Sequence, residues 1–335
     1  MTLRAKHRLP LATLCILGNG FAQVPIAPPV TIRVPVHLVT APTLVFSSEG
    51  RLIPGLEARN FRVFDNGKLQ KPIIDDVLTP FSVAIAIQVT QDVRDYITYI
   101  SRTGSTFEAL LMGQTGEAAV LTYGDDVKIL KPFDQGDVTS SLAGLRALDK
   151  NARMIDAGIR GVALLKDRPP SRARILILIG QPIDNGSTYL LETLKQRLEA
   201  ANVTVYTLTL PQVGKAFVSD NFTLEGPSSV VERGGFKASV DLGKLISVLR
   251  DKANAEAQTD PFSLLANSTG GTQLFSRAQR EFENAIASIG FQFRSAYQLS
   301  YTPTSTKPGY HVIRIEVDVP GATVLSRPGY WRAAE

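Results

Sequence analysis

Hydrophobic and polar residues alternate in two different rhythms along this chain, and the change of rhythm marks three zones. In the first, Thr31 to Val34, Val36 to Val39 and Phe61 to Phe64 alternate with period two. The last of these closes on Asp65-Asn66-Gly67, a hairpin signal, and Ser47 to Gly50 form an earlier turn. From about Pro80 the apolar positions come in unbroken runs, Val83 to Ile87 and Arg174 to Ile179, joined by a third strand from Val203 to Leu210. Between them lie amphipathic stretches that predict helices over 95–112 (interrupted at Gly104), 138–148, 154–165, 189–201, 242–257 and 278–289. Residues 118–123 and 127–130 flank Gly124-Asp125-Asp126 as a hairpin, Leu274-Phe275 reads as a short edge strand, and 211–239 reads as an inserted loop. In the last zone, 296–301, 311–319 and Tyr330-Trp331, period-two alternation returns.

Strands that are apolar on both faces and alternate with helices predict an α/β fold, a doubly wound and mostly parallel sheet covered on both sides. The two alternating zones each carry one apolar face and no helix of their own to cover it. They are therefore expected to pack together as one small β-sandwich, with the α/β domain inserted between them. The domain organisation that follows is an N-terminal β segment over 30–78, the α/β domain over 79–290, and a C-terminal β segment over 291–335.

The first 22 residues have a different character. Arg4, Lys6 and Arg8 precede the apolar run Leu9 to Leu17, and Gly20-Phe21-Ala22 supplies small residues before Gln23. This is the pattern of a cleavable secretory signal over 1–22, too short in its apolar part to span a bilayer. Its removal would take with it Cys15, the only cysteine, and three basic residues, leaving 33 Lys and Arg against 31 Asp and Glu. So small an excess, with no basic cluster interleaved with aromatics, argues against a nucleic-acid partner. The expectation is a secreted or periplasmic protein whose mature chain has no membrane span.

Residues in all three zones carry a family resemblance. They are Pro54-Gly55-Leu56 with Asn60-Phe61-Arg62-Val63-Phe64-Asp65-Asn66-Gly67 and Gln70, Pro80-Phe81-Ser82-Val83, Leu265-Ala266 with Thr269-Gly270-Gly271, and Tyr297-Gln298-Leu299-Ser300-Tyr301 with Arg327-Pro328-Gly329-Tyr330. In this order they resemble the secreted von Willebrand factor A (VWA)-related proteins abundant in acidobacteria, with the central zone similar to a VWA domain. The resemblance implies a Rossmann-like fold whose first strand ends in Asp-x-Ser-x-Ser, which with a Thr and an Asp from later loops holds one divalent cation, the metal-ion-dependent adhesion site.

Placed on that pattern, the stretch Gln88-Val89-Thr90-Gln91-Asp92 puts Gln88, Thr90 and Asp92 at the three motif positions, Ala152 at the Thr and Gln181 at the second Asp. Two carboxylates are replaced by amides and a hydroxyl by a methyl. Hard divalent cations want charged oxygens, so the resemblance implies a degenerate site with no metal and no other cofactor. Gln88, Thr90, Gln91, Asp92, Ala152 and Gln181 are then the expected rim of a protein-binding surface. Asp92 has two readings: it caps the following helix or faces solvent, or it joins Thr90 and Asp184 in a weak, rearranged cation site.

Other chemistry is poorly served. His37 and His311 lie in alternating strands, while Asp75-Asp76 and Asp125-Asp126 occupy turn positions. No Gly-x-Ser-x-Gly elbow and no phosphate-cradling glycine loop is present. The function expected from sequence is a non-enzymatic, adhesion-type protein-binding module. The alternative is a structural subunit of an envelope assembly that contacts its partners through β edges.

Overall fold

The structure, a computed structural model, describes residues 38–74, 80–109, 116–169, 171–211 and 260–332, and the backbone alone of 229–230 and 239–240. The expected signal segment, the strand Thr31 to Val34, His37, Asp75-Asp76, the 211–239 loop beyond its first residue (apart from those backbone positions) and the helix over 242–257 lie outside the described residues.

The described chain opens with β1 (Val39–Phe46), β2 (Phe61–Asp65), β3 (Lys68–Gln70) and β4 (Ile73–Ile74). The central region runs β5 (Phe81–Gln88), α1 (Arg94–Ile100), α2 (Gly104–Phe107), β6 (Glu117–Tyr123), β7 (Val127–Lys131), α3 (Val138–Ala143), α4 (Met154–Lys166), β8 (Ala173–Gly180), α5 (Leu191–Ala200) and β9 (Val203–Thr209). The two-residue pair β10 (Ser229–Val230) and β11 (Ser239–Val240) follows, then α6 (Pro261–Thr269), β12 (Gln273–Phe275) and α7 (Gln279–Ser295). β13 (Tyr297–Tyr301), β14 (Gly309–Val317), β15 (Thr323–Ser326) and β16 (Gly329–Arg332) end it.

The central sheet has the order β12-β9-β8-β5-β6-β7, parallel except for β7 at one edge. Successive strands are added outward from β5, first on one side and then, from β8 onward, on the other. The order therefore reverses between β5 and β8, the place where an open sheet of this class leaves a crevice at its carboxyl end.

The composition of β5 fits its two faces. Val83, Ile85 and Ile87 pack with Ile97, Ile100, Phe107, Phe282 and Ile286 on one side. On the other, Ala84 and Ala86 face α4. A methyl at Gly161 of α4 would lie 2.7 Å from Leu176 Cδ1 and 3.7 Å from Ala84 Cβ, so small residues on both elements let helix and sheet approach this closely.

The flanking strands form two further four-stranded antiparallel sheets, β15-β1-β13-β4 and β16-β14-β2-β3, each combining strands from both ends of the chain. Val39, Ala41, Val45, Phe61, Val63, Leu299, Tyr301, Ile313, Ile315 and Tyr330 fill the space between them. Together with the doubly wound sheet this makes a mixed α/β fold with a small β domain.

Several elements differ from the sequence reading: α6 and β15 are not among the expected elements, and β14 is shifted from the expected 311–319. β1 begins at Val39 and runs through Pro42 to Phe46, where alternation alone stopped at Val39. Pro42 is tolerated because β15 pairs with β1 only from Thr43 onward, so the proline leaves no ladder position unfilled on that side. The helix expected over 138–148 stops at Ala143, before Gly144. The helix expected over 278–289 continues to Ser295.

Candidate functional site

The carboxyl ends of β5 and β8 meet in a tightly bonded floor. The backbone N–H of Gln181 donates to Gln88 Oε1 at 2.7 Å, which fixes the orientation of the carboxamide. Its nitrogen must then face the other way, and Nε2 donates to Thr90 Oγ1 at 2.7 Å. Gly180 allows this crossing, since a methyl there would sit 2.5 Å from Gln88 Oε1 and 2.4 Å from the Tyr123 hydroxyl. Tyr123 donates to the carbonyl of Ile179 at 3.2 Å, and burial holds its hydroxyl well above the ordinary tyrosine range.

Beyond Gln88 the chain stays pinned. Val89 N donates to Tyr123 O, Asp149 N to Val89 O and Gln91 N to Asp149 O, at 2.9, 3.2 and 2.9 Å. The Asp149 side chain lies over Gly124, where any Cβ would come within 2.0 Å of its Oδ2, and it accepts from Asp125 N at 3.1 Å. Asp125 in turn accepts from the backbone N–H of Asn151 at 3.0 Å and from its Nδ2 at 2.8 Å, which holds its carboxyl below the usual range.

The loop after β8 closes over the start of α4. Asp184 Oδ1 accepts from Ile155 N at 2.9 Å and from Ser187 Oγ at 2.6 Å, and Ser187 Oγ accepts from Asp156 N at 3.1 Å. Asn185 Oδ1 accepts from Ala152 N, and Asn185 N donates back to Ala152 O at 3.0 Å. Asp156 answers from α4, taking the N–H groups of Thr188 and Tyr189 at 2.9 and 3.1 Å. First-turn amides of α4 are thus capped from a different loop, not by Arg153, which makes no side-chain cap bond.

The six residues singled out from sequence separate into two groups. Gln88, Thr90, Ala152 and Gln181 are buried, and form a floor, not a rim. Gln91 and Asp92 are exposed in a single 3-10 turn, Gln91–Val93. Asp92 is the acidic residue of that turn, yet neither the turn nor α1 carries a side-chain cap bond, so Asp92 faces solvent.

Gln88 spends its oxygen on Gln181 N, Thr90 receives an N–H from Gln88, and Asp184 is taken up by α4. Among the described residues no group of three or more His, Cys, Asp or Glu is placed to hold a metal ion.

Several residues of this floor were invisible to sequence reasoning: Tyr123, Gly180, Asp149 and Asn185. Each contributes a backbone-directed hydrogen bond or a close approach, and none of these contacts has a signature before the loops are assembled. The outer surface is formed by other positions again. Leu148, whose carbonyl accepts from Gln91 Nε2 at 3.2 Å, is 64% exposed, and Leu190, after the Asp156-bound turn, is 74% exposed. Tyr189 beside it is also exposed, with the Arg197 guanidinium 5.1 Å from its ring centroid.

No family model and no curated protein matches the chain. Among solved structures it is similar to a von Willebrand factor type A protein from Catenulispora acidiphila, at 9% identity and a TM-score of 0.45, over 90% of this chain and 75% of that one. It is also similar to an aerotolerance-related membrane protein from Bacteroides fragilis NCTC 9343 carrying multiple mutations to serines, at 12% identity and a TM-score of 0.41, over 63% of this chain and 99% of that one. A third is the conserved hypothetical protein BatB from Bacteroides thetaiotaomicron, at 11% identity and a TM-score of 0.37, with the same 63% and 99% covered.

Proposed function

We propose that this chain is a secreted A-type domain protein of the VWA-related kind, and that it binds a protein partner at the loops over β5 and β8 without a divalent cation and without catalysis. The observation that carries this reading is the closed carboxamide of Gln88. At the strand end where the fold leaves its crevice, both polar atoms of the side chain are engaged internally, so Gln88 brings a metal no charge and an oxygen already hydrogen-bonded to Gln181 N. What it offers outward is apolar and hydrogen-bonding surface: Leu148 beside Gln91, with Asp92 next to it in the chain, and Tyr189 and Leu190 at the end of the loop that follows β8. Exposed apolar side chains ringed by polar groups are the usual dress of a protein contact. Residues 1–22 would direct the chain across the membrane and be removed; among the described residues no helix is long and apolar enough to cross one.

The test is site-specific photo-cross-linking in an envelope extract of the source organism, with a reactive residue at Leu190, at Leu148 or at Phe275 on the edge strand β12. A defined adduct from Leu190 and Leu148, equal in EDTA and in excess Mg²⁺, supports the reading. Adducts from Phe275 alone would favour a structural subunit joined through β edges, and an adduct that EDTA abolishes would contradict the metal-free mode.

A further inference from the structure

At the opposite end of the central sheet from these loops, a cleft of about 380 Å³ lies between the β domain and the amino-terminal parts of β8 and β9. One wall is β1. Its Val39, Ala41 and Val45 point into the sandwich core, and the alternate positions Leu38, Pro42 and Leu44 line the cleft. The facing wall is Ile175 of β8 and Tyr206 of β9, on one face of the central sheet, with Phe293 of α7 packed against them.

The two arginines of the lining are engaged elsewhere, and its described residues include no carboxylate. Arg172 lies 3.0 Å from Glu117 and donates to the carbonyl of Phe81 at 2.7 Å. Arg174 alternates to the other face of the sheet, where its guanidinium donates to the carbonyls of Arg168 at 2.8 Å and Ala201 at 3.0 Å.

One polar group is left over. Tyr206 is only 3% exposed, and its ring centroid lies 6.3 Å from that of Phe293, yet among the described residues its hydroxyl has no hydrogen-bond partner. The Tyr99 hydroxyl is sealed from solvent and unpaired; that of Tyr206 is not sealed, and the cleft is the space that Tyr206 lines. Burial holds this hydroxyl far above the ordinary tyrosine range, so it stays protonated and can donate. A hydroxyl in apolar surroundings without an acceptor is costly, and a ligand oxygen would remove that cost.

We propose that this cleft binds a neutral molecule with a hydrocarbon body and an accepting oxygen, such as a medium-chain ketone, ester or alcohol, whose oxygen accepts from the Tyr206 hydroxyl while its chain lies between β1 and the Ile175–Phe293 wall. The volume falls in the range of small-molecule sites, which combine mostly apolar walls with a few placed polar groups. A charged head group would have to give up its water with no counter-charge in return. The proposal is independent of the protein-docking surface at the other end of the sheet.

The test uses the purified chain and the fluorescence of N-phenylnaphthylamine, a neutral apolar probe without oxygen, displaced by methyl octyl ketone or by octyltrimethylammonium. The naphthylamine should bind one to one and the ketone should displace it completely, with the cation weaker by about tenfold or more, since it brings a charge and no acceptor. Shortening the ketone should weaken it about fourfold per methylene removed. Tyr206→Phe takes away only the hydroxyl. It should weaken the ketone about two- to tenfold, the scale of one neutral hydrogen bond, and leave both the naphthylamine affinity and the melting temperature unaltered. Leu38→Trp, at a rim position that is 47% exposed, should weaken naphthylamine and ketone together. No saturable displacement by the ketone, an equal response to the cation, unchanged ketone affinity in folded Tyr206→Phe, or indifference of both probes to Leu38→Trp would each overturn the proposal.

Discussion

Gln88 Oε1 lies 2.7 Å from the backbone nitrogen of Gln181, and this contact joins the two strands between which the sheet changes direction. The two glutamines have unequal roles. Gln88 uses both its polar atoms, whereas Gln181 Nε2 is buried with no hydrogen-bond partner. Gln88→Leu should therefore be clearly destabilising, by about 1–3 kcal/mol for each buried group left unpaired. Gln181→Leu removes an unsatisfied donor and should be neutral or slightly stabilising. Urea unfolding at constant m-value distinguishes them; a loss at Gln181 as large as that at Gln88 would show that its amide has a partner in solution.

Divalent cations should leave the wild-type protein unchanged, and restoring charge should reverse this. A metal that binds only the folded state raises its melting temperature by mass action. Millimolar Mg²⁺, Mn²⁺ or Ca²⁺ should produce no saturable shift in the native chain. Gln88→Asp with Gln181→Asp buries two carboxylates near one another, so that variant should melt well below wild type in EDTA and recover on addition of Mg²⁺. A saturable wild-type response abolished by Asp92→Ala would instead establish the rearranged site through Asp92.

The amino-terminal end of the sheet carries a pH signature. Glu117 is drawn in two directions. Partial burial works to raise its carboxyl, but Arg168 Nε and Nη2, each at 2.7 Å, together with Ser82 and Arg172, hold it below its ordinary 4.5. A carboxyl lowered on folding stabilises the native state above its unfolded value and loses that contribution as pH falls through the folded one. The difference in melting temperature between wild type and Glu117→Gln should be constant above about pH 5.5 and shrink steadily below 4.5. A difference that stays flat down to pH 3 would mean the ion pairs are screened out in solution.

Much of the architecture is written in the chain, and much of the site is not, for one physical reason. Uninterrupted apolar runs such as Ile175-Leu176-Ile177-Leu178-Ile179 have few alternatives to a strand buried on both faces. The loops are governed by single hydrogen bonds between residues distant in sequence, and side-chain identity alone does not say which partner wins. Asp184 could as well face a cation as the amides of α4, and the assembled loop gives it to α4. Asp65 looks like the first residue of an Asp-Asn-Gly turn; it ends β2, almost fully buried, as the hub of the β domain. Tyr330 and Trp331 read alike as residues covering a sandwich. Strand alternation puts Tyr330 inside and leaves Trp331 42% exposed.

Asp65 is where the two sheets of the β domain are tied together, and its carboxylate gives the sharpest stability prediction. Oδ1 lies 2.8 Å from His311 Nδ1; Oδ2 accepts from the hydroxyl of Tyr330 at 2.8 Å and from that of Tyr301, which belongs to the opposite sheet, at 3.2 Å. The second ring nitrogen of His311, Nε2, lies 2.8 Å from Lys307 O. Burial, reinforced by the Asp65 charge, pushes both tyrosine hydroxyls far above their ordinary range, so they remain donors. Asp65→Asn preserves shape but replaces the charged acceptor shared by Tyr301 and Tyr330 with a neutral amide oxygen. It should cost about 1.5–3 kcal/mol, the scale of a hydrogen bond to a charged group. Tyr330→Phe alone should cost about 1–3 kcal/mol, and the two changes together less than their sum, because they act on one network. Trp331→Phe, on the outer face, should cost almost nothing. The single tryptophan also serves as the readout: its emission should be quenched by acrylamide in the native state, and it should follow the same unfolding transition as far-ultraviolet dichroism. Strict additivity of Asp65→Asn and Tyr330→Phe would mean that the carboxylate does not bind the two sheets as one unit.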